Sequence, residues 1–379
     1  YLRKELPGRM NYRGKEIKAQ DLSGLPAILD DFRKEGVQAI AVCFMHSYAN
    51  PAHEKEAMAR IASLWPEISV VSSHQITREW REYERTNTAV LSAYVQPIAE
   101  RYLSRLKDGL ASQDFQGSPY IMQSNCGVDS LESVSRIPIT MVESGPASGF
   151  WGAAELGKLI DEPNILALDI GNGGGSIAWV DDFGKLHVGP QSAGALPGPA
   201  AYGKGGQEAT TTDANLFLGR INKDYFCGGE VEADMNAADA AIKAVAGKLG
   251  VEPQDAASGI IRIANNNMVN ALKLVSLNRG FDPRDFTLVA FGGGGAMHAV
   301  ALAGELGVKK VVVPAGASVF SAWGMMMSDL RRDYFVTRLA DLGEGAAAGI
   351  EGLFEETENQ ARAQFKQEGI DSARVSFLR

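Results

Sequence analysis

The spacing of apolar residues along the chain predicts helices and buried strands in alternation. Residues 25–36, LPAILDDFRKEG, have apolar positions at helical spacing and end at a glycine, and the apolar run VQAIAVCFM that follows has the length of a strand. Helical spacing returns over 51–64 and over about 82–110, with a short strand predicted at 69–74. Such alternation is typical of an α/β architecture.

The rest of the chain continues this pattern. The runs YIMQS at 120–124 and ILALD at 165–169 are predicted strands that enter polar or Gly-rich turns. Between them, PITMVESGPASGFWGAAELGKL predicts a strand followed by a helix of small residues. Helices are predicted over 237–275 and 350–367. The clearest unit is DFTLVAFGGGGAMHAVALAGELGVKKVVVP, which predicts a strand, a glycine turn, a helix and a second strand.

Composition and charge exclude several classes of protein. With 45% apolar and 22% charged residues over 379 positions, the chain is too apolar to be disordered and long enough for two or three domains. The formal charge of −9 predicts neither a nucleic-acid partner nor an anionic membrane surface. No apolar run is long enough for a transmembrane helix, and the three dispersed cysteines argue against a disulfide framework or a zinc site. We therefore expect a soluble, cytoplasmic protein.

Glycine is the exception in this ordinary composition. The 42 glycines are about 11% of the chain, against a usual value of about 7%. They cluster at 171–175, 194–206 and 292–295, mostly at the predicted ends of strands. Glycine at such positions lets the backbone approach a ligand or another element closely.

The cluster Gly292–Gly295 lies between a predicted strand and a predicted helix. A helix N-terminus preceded by glycines offers free N–H groups to an anion, so this turn is a candidate phosphate-binding site. It matches neither the Walker A nor the GxGxxG pattern, and a tight structural turn explains it equally well. His298, three residues into the helix, could contact a nucleotide or cap the turn.

Two further segments carry oxygen ligands. Asp169 ends a predicted strand and precedes the glycines Gly171 and Gly173–Gly175, a position at which α/β proteins hold magnesium or nucleotides. The segment TTTDAN, residues 210–215, combines hydroxyls, an amide and the carboxylate of Asp213, a set that suits Mg²⁺ and phosphate. Turn capping by Asp169 and helix capping by residues 210–215 are the ordinary alternatives.

Other candidates are weaker. His46 and His53 flank one turn and could form a metal pair, although two histidines without a third ligand seldom make a site. Cys126 follows a predicted strand and could be a reactive thiol, but the sequence assigns it no base.

Taken in order, these motifs resemble the hydantoinase A / 5-oxoprolinase family. The resemblance covers nearly the whole chain. Its motifs are AVCFMHSYANPAHE, REYERTNTAVLSAYVQP, YIMQSNCGV, ESGPASGFWGA, GGGSIAWVDDFGKLHVGPQSAGALPGPAAYGKGG, TTTDANLFLGR, RGFDPRDFTLVAFGGGGAMHAVALAGELGVKKVVVP and SVFSAWGMMMSDLRRDY.

The resemblance implies a fold and a set of site residues. The fold would be that of the actin, Hsp70 and sugar-kinase group, with ribonuclease-H-like α/β lobes. The implied domains are an N-terminal α/β region at 1–118, the ATP-binding lobes at 119–339 and the start of a C-terminal region at 340–379. Asp169 and Asp213 would be catalytic and metal-binding residues. The nucleotide-binding residues would be Gly173, Gly174, Gly292, Gly293, Gly294, Gly295 and His298.

The resemblance also implies an activity. Members of the family use ATP with Mg²⁺ or Mn²⁺, without biotin, to phosphorylate the oxygen of an enolised ketone or a cyclic amide. A hydantoinase B-like subunit then directs carboxylation or hydrolysis. From Cys126 and the variant turn GGGGAMH we expect ketone carboxylation, with cyclic-amide hydrolysis as the alternative. A catalytically silent scaffold subunit is a hypothesis of another class, and a sugar-kinase-like phosphotransferase would share the fold but lacks this series of motifs.

The sequence departs from the family pattern at two places. The N-terminal Asp-Ile-Gly-Gly-Thr phosphate loop of the family is missing, so we expect the chain to be incomplete. In the second loop, Asp169-Ile170-Gly171-Asn172 runs straight into residues 173–176, and we expect that a segment carried by other members is absent near Asp169 and Ile170. If the chain is naturally continuous here, phosphate binding could be lost, which is the reason for the scaffold hypothesis. Cys126 also stands where the family often has glycine.

Overall fold

The chain forms two compact units, one of which contains both ends of the sequence. The computed structural model describes residues 2–171, 175–229, 232–341, 343 and 345–379. The first unit consists of 1–142 and 330–379, and the second of 143–329. The predicted divisions at 118/119 and 339/340 both lie inside the first unit.

The first unit alternates short strands and helices, as the apolar spacing predicts. Its elements are β1 (Arg9–Met10), β2 (Glu16–Lys18), α1 (Leu25–Lys34), β3 (Ala39–Val42), α2 (Ala52–Leu64), β4 (Ser69–Ser72), α3 (Ser73–Ile76), α4 (Glu82–Ser112), β5 (Tyr120–Met122), β6 (Val128–Ser130) and α5 (Leu131–Arg136). Strands β3 and β4 pair in parallel, and apolar side chains of α1 and α2 pack on β3 around Leu29 and Ile61. Helix α1 ends because Gly36 takes a φ of +68°, a conformation that glycine adopts without strain.

The second unit contains the predicted βαβ segment. Its elements are α6 (Ser144–Leu159), β7 (Ile165–Asp169), β8 (Ser176–Val180), β9 (Leu186–Ser192), α7 (Thr211–Phe217), α8 (Met235–Leu249), α9 (Pro253–Val275), β10 (Thr287–Phe291), α10 (Gly295–Leu306), β11 (Lys310–Val312) and α11 (Phe320–Met326). The last helix of the chain, α12 (Ala346–Gln367), belongs to the first unit.

Strand β10 is the centre of a parallel three-stranded sheet in the order β11-β10-β7. All five residues of β10 are buried, and alternate side chains enter two cores. Val289 and Phe291 belong to the buried cluster that contains Phe320 of α11. Leu288 and Ala290 belong to a second cluster, formed with residues of α9 and α10. A third core joins the antiparallel hairpin β8–β9 to α7, α8 and α9.

Several predicted elements differ from the structure. The strand predicted at 69–74 ends at Ser72, and Ser73–Ile76 form the helix α3. PITM, at 138–141, forms a 3₁₀ turn rather than a strand, and it begins at Pro138, which has no N–H to give to a strand ladder. Helix α12 begins four residues before the predicted Ile350, because alanines extend the helix without adding to its apolar pattern. Among the helices of the described residues, none has both the length and the hydrophobicity needed to cross a bilayer.

Candidate functional site

The carboxyl ends of β7 and β10 bring two of the predicted phosphate turns together. The strands are adjacent and parallel, with Asp169 opposite Phe291 in the register. The amide of Ile170 donates to the carbonyl of Phe291 at 3.1 Å, and the amide of Gly294 donates to the carbonyl of Ile170 at 2.8 Å. The turn after β10 is therefore fastened to the turn after β7 by backbone hydrogen bonds.

Two positions in the turn after β10 leave no room for a side chain and therefore require glycine. Gly292 takes a φ of +80°, and a Cβ there would lie 2.3 Å from the carbonyl oxygen of Ile170 and 2.6 Å from Oδ1 of Asp169. A Cβ on Gly294 would lie 2.9 Å from Cγ2 of Ile170. A tight structural turn, the alternative to a phosphate site, thus explains Gly292 and Gly294, because the absence of their side chains lets β7 and β10 end side by side.

A cavity of about 220 Å³ opens beside this turn. Its wall includes Gly293 and Gly294 at the start of α10, and Ile170 and Gly171 after β7. The polar side chains on its other sides are Ser176, Thr211, Thr212, Asn215, Asn267 and His298, and its apolar residues are Val188, Tyr202, Ile221, Phe226, Ala264, Met268 and Met297. The volume is below the roughly 300–1,000 Å³ of most small-molecule sites, so the cavity would enclose only part of a nucleotide.

His298 is a basic side chain in this wall. Its Nδ1 lies 2.7 Å from Oδ1 of Asn265 on α9, so Nδ1 carries the proton that is donated and Nε2 is left as an acceptor. Burial, and to a smaller extent the charge of Arg220, lowers the pKa of His298 below its usual value. The imidazole is therefore neutral at pH 7.

Asn215 and Arg220 link α7 to the start of α10. Arg220 donates to Oδ1 of Asn215 at 3.2 Å and to the carbonyl of Met297 at 3.3 Å. Asn215 is buried and also donates from Nδ2 to the carbonyl of Thr211. These contacts hold the polar face of α7 against the end of the cavity that contains His298.

Asp213 lies next to the cavity-lining threonines but is not itself part of the wall. Its buried carboxylate accepts hydrogen bonds from the amide and hydroxyl of Thr210 and from the amides of Ala200 and Ala201, at 2.7–3.3 Å. Thr210 and Asp213 form a reciprocal capping box at the start of α7. Because a carboxylate has about four lone-pair sites, these four donors leave little capacity for a metal ion.

Asp169 has a different environment. Its carboxyl is beside Gly292, and burial raises its pKa above the usual value, while a hydrogen bond from Ser321 acts in the opposite direction. Asp169 does not line the 220 Å³ cavity, although the next two residues, Ile170 and Gly171, do. The structure therefore does not place Asp169 and Asp213 together in one wall.

Within the residues that the structure describes, no three His, Cys, Asp or Glu side chains converge on a possible metal position. Mg²⁺ commonly needs only one or two carboxylates, because phosphates and waters complete its coordination. Asp169, with acceptor capacity left, fits that requirement better than Asp213. The predicted nucleotide-binding residues Gly173 and Gly174 lie outside the described residues.

The two weaker candidates have local structural explanations. His53 bonds through Nε2 to Glu16 at 2.7 Å, whereas His46 lies 3.3 Å from the hydroxyl of Tyr48. The two histidines therefore have separate partners. Cys126 takes a φ of +66° in the turn between β5 and β6, a conformation that glycine adopts more readily than cysteine.

Sequence reasoning missed Asn265, Asn267 and Arg220. The run Asn265-Asn266-Asn267 was a usable signal, because asparagine is a poor helix former and three in succession inside a helix suggest another role. Arg220 carries no comparable signal, since its position beside Asn215 depends on the turn that follows α7.

Parallel strands, a glycine turn before a helix and a cavity at the strand ends define an α/β protein with a candidate ligand site. The chain belongs to the hydantoinase/oxoprolinase family. The model of that family matches residues 85–172 and 169–334, and the model of the family's N-terminal region matches residues 1–64.

Relatives of known activity agree with this assignment. The chain is 36% identical to caprolactamase subunit alpha of Pseudomonas jessenii over 99% of its own length and 58% of the relative. It is 32% identical to the acetophenone carboxylase gamma subunit of Aromatoleum aromaticum over 97% of its length and 57% of the relative. The nucleotide-free structure of acetone carboxylase superposes with a TM-score of 0.81 and 25% identity, over 98% of this chain and 59% of that one. The chain thus spans less than three fifths of these relatives.

The two matches to the family model meet at residues 169–172, where the sequence departs from the family pattern. The alignment with the caprolactamase subunit runs over 417 positions, more than the 379 residues of this chain, so the relative has residues without counterparts here. An absent segment next to Asp169 stays a prediction.

Proposed function

We propose that this chain is the nucleotide-binding part of an ATP-dependent enzyme that activates a carbonyl oxygen by phosphoryl transfer. The proposal rests on the 220 Å³ cavity. Gly293 and Gly294, at the N-terminus of α10, line one side of it, and the side chains of Thr211, Thr212 and Asn215 line another. Since the amide of Gly294 already donates to Ile170, the groups available for phosphate oxygens are the backbone of Gly293, the N-terminal end of α10 and the neutral donors of α7. An actin-like arrangement of lobes belongs to the same proposal.

ATP would supply the phosphoryl group, and a bound Mg²⁺ would neutralise charge on the phosphate oxygens. The residues of this chain would contribute mainly by position. The helix end of α10 and the face of α7 would hold anionic oxygens, and Asp169 would orient the metal or its water. Neutral His298 would offer Nε2 as an acceptor, with its ring fixed by Asn265. Such preorganised contacts are the main catalytic means in phosphoryl transfer.

Two reactions of the activated carbonyl compound are candidates, carboxylation and hydrolysis. Ketone carboxylation, without biotin, is supported by the TM-score of 0.81 with acetone carboxylase. Hydrolysis of a cyclic amide is supported by the 36% identity with the caprolactamase subunit. Cys126, on which the expectation of carboxylation partly rested, lies in a turn with a φ of +66°, and this geometry favours neither reaction. In either case we propose a hydantoinase B-like subunit as the partner, in keeping with the subunit names of the relatives.

Calorimetry with MgATP tests the first step. We expect one MgATP per chain, and we expect Thr211→Val with Thr212→Val to weaken binding at least about tenfold, or about 1.4 kcal/mol. A partly exposed threonine of the first unit, Thr88→Val, is the control. If the chain binds no MgATP, the scaffold hypothesis replaces this proposal.

Isotope labelling separates the two outcomes. The chain and its partner subunit would be incubated with MgATP and acetone, acetophenone, caprolactam or 5-oxoproline, while ADP release is measured. Incorporation of ¹³C-labelled hydrogen carbonate identifies carboxylation, and incorporation of ¹⁸O from water into a ring-opened product identifies hydrolysis. Binding of MgATP without either product would contradict the proposed chemistry but leave the nucleotide site in place.

A further inference from the structure

The first unit contains a second and larger cavity. Its volume is about 530 Å³, within the range of about 300–1,000 Å³ typical of small-molecule sites. Its wall comes from several parts of that unit: Lys55 of α2, the segment that follows β4, the region from β5 through α5 to Thr140, residues 332–336, and α12. Nothing in the proposed ATP chemistry uses this cavity.

The acidic side chains of this wall have their acceptors occupied. Asp129 accepts hydrogen bonds from Arg332, from the amide of Ser130 and from the hydroxyl of Ser133. Asp333 accepts from Asn125 at 2.8 Å and from Arg331 at 3.2 Å. These carboxylates are therefore neutralised by the protein, and neither one makes the cavity a site for a cation.

Several donors in the same wall are not used. Within the described part of the chain, neither the guanidinium of Arg78 nor the ammonium of Lys55 has a hydrogen-bond or ion-pair partner. The hydroxyl oxygen of Thr77 is buried and also lacks a partner. A buried polar atom without a hydrogen bond is uncommon in folded proteins and indicates a missing partner. The groups without a protein partner are thus the buried hydroxyl of Thr77, the partly buried guanidinium of the adjacent Arg78 and the exposed ammonium of Lys55 on α2.

His74 forms a rigid part of this wall. Its Nδ1 donates to Oε2 of the fully buried Glu54 at 2.8 Å, and the backbone amide of His74 donates to the same oxygen at 2.9 Å. Glu54 is held in turn by the hydroxyl of Ser73 at 2.6 Å. With Nδ1 engaged, Nε2 is the nitrogen left for a ligand.

We propose that this cavity is a binding site for a small carboxylate, with Arg78 and Lys55 pairing with its charge and Thr77 donating a hydrogen bond. A carboxylate is favoured because arginine binds its two oxygens in a bidentate manner and because a carboxylate can accept from the other unmatched donors. A product of the proposed reaction has the required group, since ring opening of a cyclic amide and carboxylation of a ketone both yield a carboxylate. That last link rests on the proposed function, whereas the binding site itself does not.

Glutarate is a suitable probe, because its two carboxylates suit two cations and its neutral diamide, glutaramide, has the same shape. We expect calorimetry on the whole chain to detect glutarate binding, and glutaramide to bind at least tenfold more weakly. Arg78→Gln should weaken glutarate binding at least tenfold. Arg105→Gln, at an exposed position of α4 in the same unit, makes the same change of charge and should alter the affinity less than twofold.

Thr77→Val tests whether the hydroxyl of Thr77 binds a ligand or stabilises the fold. Because the hydroxyl has no partner, its removal should not lower the melting temperature of the free protein, but it should weaken glutarate binding several-fold. Absence of glutarate binding, equal losses in Arg78→Gln and Arg105→Gln, or tighter binding of inorganic phosphate than of glutarate would each overturn the proposal. MgATP binding should be unchanged in Arg78→Gln, so a failure here is distinguishable from a failure of the proposed function.

Discussion

The amide N–H of Gly294 donates a hydrogen bond to the carbonyl of Ile170 at 2.8 Å. This bond joins the turn after β10 to the turn after β7, so two segments more than a hundred residues apart act as one cradle. The cradle closes only because no side chain stands between the turns, and Gly292 and Gly294 supply that space.

Gly292→Ala should disrupt this cradle. Its Cβ would lie 2.3 Å from the carbonyl oxygen of Ile170, and alanine at a φ of +80° adds backbone strain of about 1–2 kcal/mol. We expect a loss of at least about 2 kcal/mol in the free energy of unfolding, measured by urea denaturation, together with loss of MgATP binding.

Gly304→Ala is the matched control for this change. Gly304 lies on the exposed side of α10, and a Cβ there meets nothing within 4 Å. Alanine should leave stability unchanged or raise it by up to about 1 kcal/mol, because it favours the helix. If Gly292→Ala behaved like Gly304→Ala, the cradle would not depend on the close approach seen here.

Asp213→Asn tests whether this carboxylate is structural or binds metal. The amide would place a donor where the carboxylate now accepts four hydrogen bonds, so we expect the free energy of unfolding to fall by about 2–3 kcal/mol without any ligand. Asp239→Asn, which removes only an exposed i,i+4 pair with Lys243, should cost less than about 0.5 kcal/mol. Unchanged stability with a selective loss of Mg²⁺ dependence would instead identify Asp213 as a metal ligand.

Much of the α/β framework could be predicted from periodicity alone. Strand β10 is a run of five buried residues, four of them apolar, between a polar segment and four glycines, a local pattern that needs no tertiary information. The 3₁₀ turn at 138–141 was not predictable in this way, because PITM has an apolar content that suits a strand and only Pro138 opposes it.

The candidate site was predicted less completely, for a physical reason. The TTTDAN motif indicates oxygen ligands but not their directions, and the capping box turns Asp213 inward while Thr211, Thr212 and Asn215 line the cavity. The direction of a side chain at a helix start depends on capping geometry and on the neighbouring loop at 200–202, and neither is encoded in the spacing.

Asp169→Asn should separate stability from function. Burial raises the pKa of Asp169 above its unfolded value near 4, so its contribution to stability declines as the pH rises through the folded pKa. At pH 7 the ionised group therefore opposes folding, and the amide should leave the free energy of unfolding the same or higher. If Asp169 orients the metal, MgATP affinity should fall at least about tenfold, or about 1.4 kcal/mol.

Two measurements check the prediction at Asp169. Urea denaturation at pH 7 gives the stability, and calorimetry with and without Mg²⁺ gives the affinity. Asp182→Asn, at an exposed position of the β8–β9 turn, should change neither. Lower stability in Asp169→Asn, with MgATP affinity unaltered, would contradict both parts of the prediction.

His298→Gln should flatten the pH dependence of stability in mildly acidic solution. The folded pKa of His298 lies below the unfolded value of about 6.5, so the unfolded chain takes up a proton first as the pH falls. The stability linked to neutral His298 is thus complete above pH 6.5 and is lost progressively down to the folded pKa. Glutamine cannot titrate but can still donate to Asn265, so the variant should lose less stability between pH 7.5 and pH 5.5.

Urea denaturation at pH steps of 0.5 across this interval provides the test. Burial also lowers the pKa of His46, so this residue contributes separately to the pH dependence of the free energy of unfolding. His46→Gln should remove that contribution and leave the one due to His298. Glu54 does not interfere, because hydrogen bonds from His74 and Ser73 outweigh its burial and lower its pKa, which places its titration below this interval. Equal slopes in the wild-type protein and in His298→Gln would mean that His298 titrates alike in the folded and unfolded chains, and the neutral imidazole assigned to the cavity would then be wrong.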